Sequence, residues 1–120
     1  MNALFDTNIL IDYLRGIHAA RAELRRYDHI AISVISWIEV MVGAPDETEQ
    51  ATRDFLAGFP LVALDDGVAA LAATLRRAHR VKLPDAIIWA SARARGMLLV
   101  TRDGKGFPAD DPGVRIPYAV

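Results

Sequence analysis

Apolar positions fall along this chain in short continuous runs that alternate with longer segments of helical spacing. Residues 2–5 (Asn2-Ala3-Leu4-Phe5) form the first run, of strand length. Asn8 is placed to cap a helix carrying Ile9, Leu10, Ile11, Tyr13 and Leu14, which Gly16 stops. A second helix, over residues 17–27, is rich in Ala and Arg. Residues 30–33 read as a buried strand running into an apolar helix over 36–42, which ends at Gly43 and Pro45. Residues 47–57 have helical composition up to Gly58, residues 61–64 form a third strand, and Asp66 caps a helix over 68–77. Pro84 sits where a first helical turn tolerates it and opens a helix over 85–95, with Gly96 at the far end. Residues 97–100 make a fourth strand, and residues 114–116 a fifth, at an edge.

Near-continuously apolar strands separated by helices predict a parallel sheet covered on both faces. The expectation is an α/β fold in three layers, α/β/α, as a single domain over residues 1–120. Open sheets of this kind bind ligands beyond the carboxyl ends of their strands. That rule points to Asp6, just past the first strand, and to Thr101-Arg102-Asp103, just past the fourth.

Composition narrows the chemistry. Apolar residues make up 52% and charged residues 24%, which excludes disorder. There is no cysteine, so disulfides, thiolate metal sites and cysteine nucleophiles are excluded. No run approaches the ~18 apolar residues of a membrane span, and Asp6 and Asp12 interrupt the only N-terminal signal-like stretch. A soluble, cytoplasmic protein with no membrane partner is expected. Fourteen basic against fifteen acidic residues leave a net charge of -1, so no bulk positive field announces a nucleic-acid binder.

Most acids lie in loop clusters or on polar helix faces, but three do not. Asp6 is the only charge among residues 1–11, Glu39 among residues 30–45 and Asp85 among residues 83–92. A desolvated carboxylate without a partner costs several kcal/mol, so these placements need compensation. Asp103 joins them by its position at a strand end. Each has a structural alternative: a helix cap for Asp6, a helix-dipole acid for Asp85, a buried ion pair for Glu39, a turn residue for Asp103. One shared explanation is more economical, since clustered carboxylates repel unless a divalent cation neutralises them. Oxygen ligands, with His18, His29 and His79 in polar stretches, select Mg²⁺ or Mn²⁺ over Zn²⁺.

Asp6 and Asp85 are the principal metal-facing candidates, with Glu39 completing the cluster directly or through a water. Asp103 is a weaker ligand or an orienting group. Asn8 and Thr101 are neutral and can hydrogen-bond a phosphate or a metal-bound water without adding repulsion. Without the four site acids, eleven acids face fourteen bases over the remaining surface. Arg80, Lys82, Arg102 and Lys105 adjoin the proposed site and are candidate contacts to a phosphate backbone. Trp37 and Trp89 lie in apolar helical runs and read as core or interface.

Four motifs then resemble those of one family. Asp6-Thr7-Asn8 is similar to its D-x-N opening, and Glu39 with Gly43 to its E-x-x-x-G. Pro84-Asp85-Ala86 with Ile88 and Ala90 resembles its P-D-A-x-I-x-A helix start, and Leu99-Val100-Thr101-Arg102-Asp103 its L-V-T-x-D strand end. The family is the PIN-domain family of metal-dependent nucleases, and the chain length resembles that of its VapC-type toxins. The resemblance covers essentially the whole chain. It implies a five-stranded parallel sheet, a site of three or four acids, Mg²⁺- or Mn²⁺-dependent cleavage of RNA, and neutralisation by a cognate VapB-type antitoxin. RNA as substrate rests on this resemblance, because a metal-bound water does not require a 2′-OH. Many relatives carry a further acid immediately before the phenylalanine matching Phe107; here Gly106 stands there, which leaves a second metal position open.

Other classes fit less well. An aspartate-based phosphatase needs a second Asp two residues after Asp6, where Asn8 cannot transfer a proton. A phosphoacceptor domain could use Asp65 but lacks the acid beside Asp6. A catalytically inactive binding module would use the acids only to hold a partner's basic side chain. The apolar helices around Ile9–Leu14 and Ile35–Val42 offer more apolar surface than one sheet contact uses, which predicts a homodimer and, by the resemblance, an antitoxin helix in an apolar groove with a basic residue reaching the acids.

Overall fold

The computed structural model describes residues 1–119. Five parallel strands make one sheet: β1 (Asn2–Phe5), β2 (His29–Ser33), β3 (Leu61–Val62), β4 (Leu98–Val100) and β5 (Val114–Arg115), in the order β3-β2-β1-β4-β5. The helices are α1 (Thr7–Leu14), α2 (His18–Leu24), α3 (Val34–Val42), α4 (Glu49–Leu56), α5 (Asp66–His79) and α6 (Leu83–Ala94), with a 3-10 turn at Asp46–Thr48. The expected three-layer α/β/α architecture is present. Among the described residues, no helix is long and apolar enough to cross a membrane.

Alternation along β1 explains the layers. Ala3 and Phe5 point to one face and meet Ile9 and Leu10 of α1, Ala20 of α2, Val40 of α3 and Leu56 of α4. Leu4 points to the other and meets α5 and α6 through Val68, Leu75, Ile88 and Trp89. With both faces covered, β1 is apolar and buried from Ala3 to Phe5, and polarity returns only at Asp6, where the chain leaves the sheet.

Capping differs from the sequence reading at two helices. Asp6, not Asn8, caps α1: its carboxylate accepts from the Thr7 backbone N–H at 2.7 Å, so the helix begins two residues earlier and includes Asn8. Asp65, not Asp66, caps α5 by accepting from the Val68 N–H at 2.9 Å. In both cases two polar residues close in sequence could serve, and tertiary position selects one.

Candidate active site

β2 and β3 are added on one side of β1, and β4 and β5 on the other. The direction of winding therefore reverses between β1 and β4, and a crevice opens beyond their carboxyl ends. Register pairs Phe5 with Val100, and the Asp6 N–H donates to the Val100 carbonyl at 2.9 Å. Asp6 thus stands beside Thr101, whose hydroxyl donates to its Oδ2 at 2.7 Å. That hydroxyl accepts from the Asp103 N–H at 3.1 Å and from the Asn8 amide at 3.4 Å. Thr101 therefore has only its own proton to offer Asp6, and requires an acceptor there.

The other acids gather around this pair. Glu39, on α3, accepts from the Thr7 hydroxyl at 2.7 Å, and that oxygen lies 3.0 Å from the Oγ of buried Ser36. Asp85 lies half-buried in the first turn of α6. Asp103 is half-buried too, and its Oδ1 accepts from the N–H groups of Lys105 at 3.1 Å and Gly106 at 2.8 Å. A Cβ at position 106 would run into Asp103 Oδ2, so the glycine makes room for that carboxylate.

The charges feel one another. Asp6 is 5% exposed, and its pKa is raised to about 6, chiefly by burial and further by Asp85 and Glu39, against the lowering effect of its two hydrogen bonds. The Asp85 carboxyl is raised by burial, then by Asp103 and Glu39, with Lys82 opposing. The structure thus brings Asp6, Glu39, Asp85 and Asp103 into one electrostatic group.

Two expectations need correction. Glu39 is exposed rather than desolvated, because its apolar neighbours Trp37, Val40 and Met41 turn to other faces of α3. Arg102 is not a free contact for phosphate. Its guanidinium turns back onto buried Asp12, with Nε 2.7 Å from Oδ2 and a second bond at 3.3 Å, and Tyr118 donates to the same carboxylate at 2.9 Å. Asn8 Oδ1 accepts from the Arg102 N–H at 3.2 Å, so α1 grips the residue between Thr101 and Asp103 at both its backbone and its side chain. Lys82 lies beside Asp85, Lys105 is exposed on the Asp103 turn, and Arg80 sits farther back, at the end of α5.

Sequence reading missed Thr7, Ser36 and Asp12. Asp12 carried a legible signal, being an acid flanked by Ile11 and Tyr13 and one helical turn from Asn8. A parallel pair, Glu23 with Arg115 at 2.7 Å, joins α2 to β5 and carried none.

Every donor in the group is a hard oxygen, which suits Mg²⁺ or Mn²⁺. Among the described residues, no three acidic or histidine side chains are close enough to enclose an ion by themselves. Such a set fits a cation that takes one or two carboxylates directly and keeps waters in its other positions.

Fold and site together define a three-layer α/β protein with a carboxylate cluster at the switch point of its parallel sheet. The PIN domain family model matches residues 3–109, and the chain belongs to that family. It is similar to a chain of a toxin-antitoxin complex from Klebsiella pneumoniae, at 44% identity, TM-score 0.93, covering 98% of this chain and 99% of that one. It is 32% identical to Ribonuclease VapC10 of Mycobacterium tuberculosis, over 98% of this chain and 93% of the relative. A VapBC-5 toxin-antitoxin structure from Mycobacterium tuberculosis matches at 26% identity and TM-score 0.70, over 95% of each chain.

Proposed function

We propose that this protein is the ribonuclease toxin of a toxin-antitoxin pair, a Mg²⁺- or Mn²⁺-dependent endoribonuclease working in the cytoplasm. The observation that carries the reading is the buried Asp6 beyond the end of β1, hydrogen-bonded by Thr101 and raised to about 6, with the charges of Asp85 and Glu39 acting on it and those of Asp103 and Lys82 acting on Asp85. Asp6 and Asp85 would hold the cation, with Glu39 reaching it directly or through a water. When bound, that cation would act as a Lewis acid toward a phosphoryl oxygen and make a bound water more acidic.

The chain's own residues set the geometry. Thr101 fixes the Asp6 carboxylate and keeps it an acceptor, and Thr7 holds Glu39. Asn8 ties the loop after β4 to α1, and Asp103 closes that loop through its bonds to 105 and 106. Lys82, whose charge acts on Asp85, and Lys105, exposed on the Asp103 turn, would receive non-bridging phosphate oxygens. Hydrolysis adds a water oxygen to phosphorus and breaks one phosphorus–oxygen bond to ribose; the water gives up a proton to a carboxylate or to solvent, and the departing ribose oxygen takes one up from solvent to become a hydroxyl.

The antitoxin would seat on a groove of about 530 Å³ between α1, α3 and α4, lined by Ile11, Leu14, Val40, Gly43, Pro45 and Thr52. The exposed Ile38 and Val42 of α3, the latter 81% exposed, suit a second copy of the chain.

The test is direct. Purified protein in Mn²⁺, incubated with total RNA, should generate discrete 5′ ends, and Asp6→Asn and Asp85→Asn should remove them while the chain stays folded. Full activity in both variants would eliminate the reading, and metal-independent binding without turnover would favour an inactive binding module.

A further inference from the structure

Helices often end in a left-handed residue, and glycine fills that position without steric cost. Among the described residues, three have φ in this range: Gly16 at 80°, Gly96 at 65° and Arg80 at 57°. Two obey the rule. Arg80 closes α5 with φ 57°, ψ 29°, its N–H donating to the Arg76 carbonyl at 2.8 Å. A side chain with a Cβ is strained there, and strain kept at one position invites a functional account.

The surroundings supply one. Arg76, Arg77 and Arg80 line a groove of about 510 Å³ with Ala73 and Leu83. Arg76 is tied to the Val81 carbonyl at 2.8 Å, which braces the turn. Arg77, Arg80 and Lys82 enter none of the ion pairs among the described residues, whereas Arg102 and Arg115 are neutralised by buried acids. Val81 is buried in the core, so the strained turn anchors the chain and passes it to Lys82, the cap residue of α6, three residues before Asp85. The groove ends at Leu83, the first residue of α6, next to Lys82, whose charge acts on Asp85, so the basic residues and the acidic site meet at the start of that helix.

We infer that Arg80, with Arg77 and Lys82, forms a phosphate track that carries the RNA strand away from the carboxylates across the α5–α6 turn, and that this charge is why position 80 is not glycine. The inference rests on the ribonuclease reading and adds to it the path of the substrate. Phosphodiesters flanking the cleaved bond are held by point charges, without base contacts, so the track contributes affinity and not sequence choice.

Arg80→Gly separates strain from charge. It should raise the melting temperature by about 2–6 °C, by relieving the left-handed strain. Binding of a short single-stranded RNA in EDTA, followed by fluorescence anisotropy across a salt series, should lose about 0.7 from the slope of log affinity against log salt. Arg77→Gln should lose a similar slope without the thermal gain, and Arg80→Lys should keep most of the slope. A more stable Arg80→Gly with the wild-type slope would overturn the inference, as would an Arg80-dependent affinity for the antitoxin with RNA binding unaltered. Wild-type cleavage of RNA in Mn²⁺, measured alongside, tests the underlying reading separately. If the slope effects appear without cleavage, the track stands and the catalytic reading falls.

Discussion

Replacing Asp6 with asparagine should stabilise the cation-free protein at neutral pH and destabilise it in acid. The carboxyl goes from an ordinary 3.8 to about 6 on folding, which at about 1.4 kcal/mol per pH unit is a penalty of about 3 kcal/mol for the ionised form. The folded state holds the proton more tightly, so stability falls as pH rises through the window from 3.8 to 6. The penalty is absent below that window and complete above it. Asparagine has no charge to desolvate and escapes the effect. It introduces a different cost, because Thr101 already accepts from the Asp103 N–H and the Asn8 amide and needs an acceptor on residue 6. Turning either end of the amide toward Thr101 leaves one donor mismatched, at about 1 kcal/mol. The variant should therefore be about 1 kcal/mol less stable than wild type near pH 3.5 and about 2 kcal/mol more stable at pH 7.5. Urea denaturation in EDTA at intervals across that range measures the difference directly. Millimolar Mn²⁺ should reverse the neutral-pH ranking, since only wild type gains fully from binding an ion in the folded state. Parallel stability–pH curves for the two proteins would refute the reasoning, because they would mean that Asp6 ionises at its ordinary pKa.

Gly106→Ala should cost about 1–3 kcal/mol by overpacking against Asp103, seen as a lower urea midpoint, with loss of activity as that carboxylate is displaced. Leu14→Lys should leave RNA cleavage intact and abolish inhibition by the antitoxin, measured by adding the partner to the cleavage reaction; inhibition unchanged would move the partner off the α1–α3–α4 groove.

The sheet was legible because β1, β2 and β4 are buried on both faces, and a two-sided strand writes a continuous apolar run into the sequence. Asp6 and Asp85 were legible for the complementary reason: a lone charge in such a run is visible without knowing its partner. Glu39 shows the limit of that logic, since it has apolar neighbours in sequence and is nevertheless exposed to solvent. On a helix, consecutive residues face different ways, and the sequence does not say which face meets the core. Arg102 was misjudged because its partner, Asp12, lies 90 residues away and no local pattern links them. Arg80 was assigned as a basic residue, but its left-handed backbone depends on where Val81 must enter the core, which is a property of the assembled fold.

The separations across the site bear on when the molecule becomes dangerous. Thr101 reaches back 95 residues to Asp6, Arg102 reaches 90 and Tyr118 reaches 106 to Asp12. β1 emerges early in synthesis and can pair with β2, but its other edge stays open until β4 arrives, and α6 with Asp85 must first pack behind it. Loop closure over such distances is slow compared with local helix formation. A ribosome-bound fragment therefore carries Asp6 and Glu39 without the groups that complete their surroundings. Competence to cut arrives only once residues beyond 80 have joined the fold, and a nascent chain short of that point is inert.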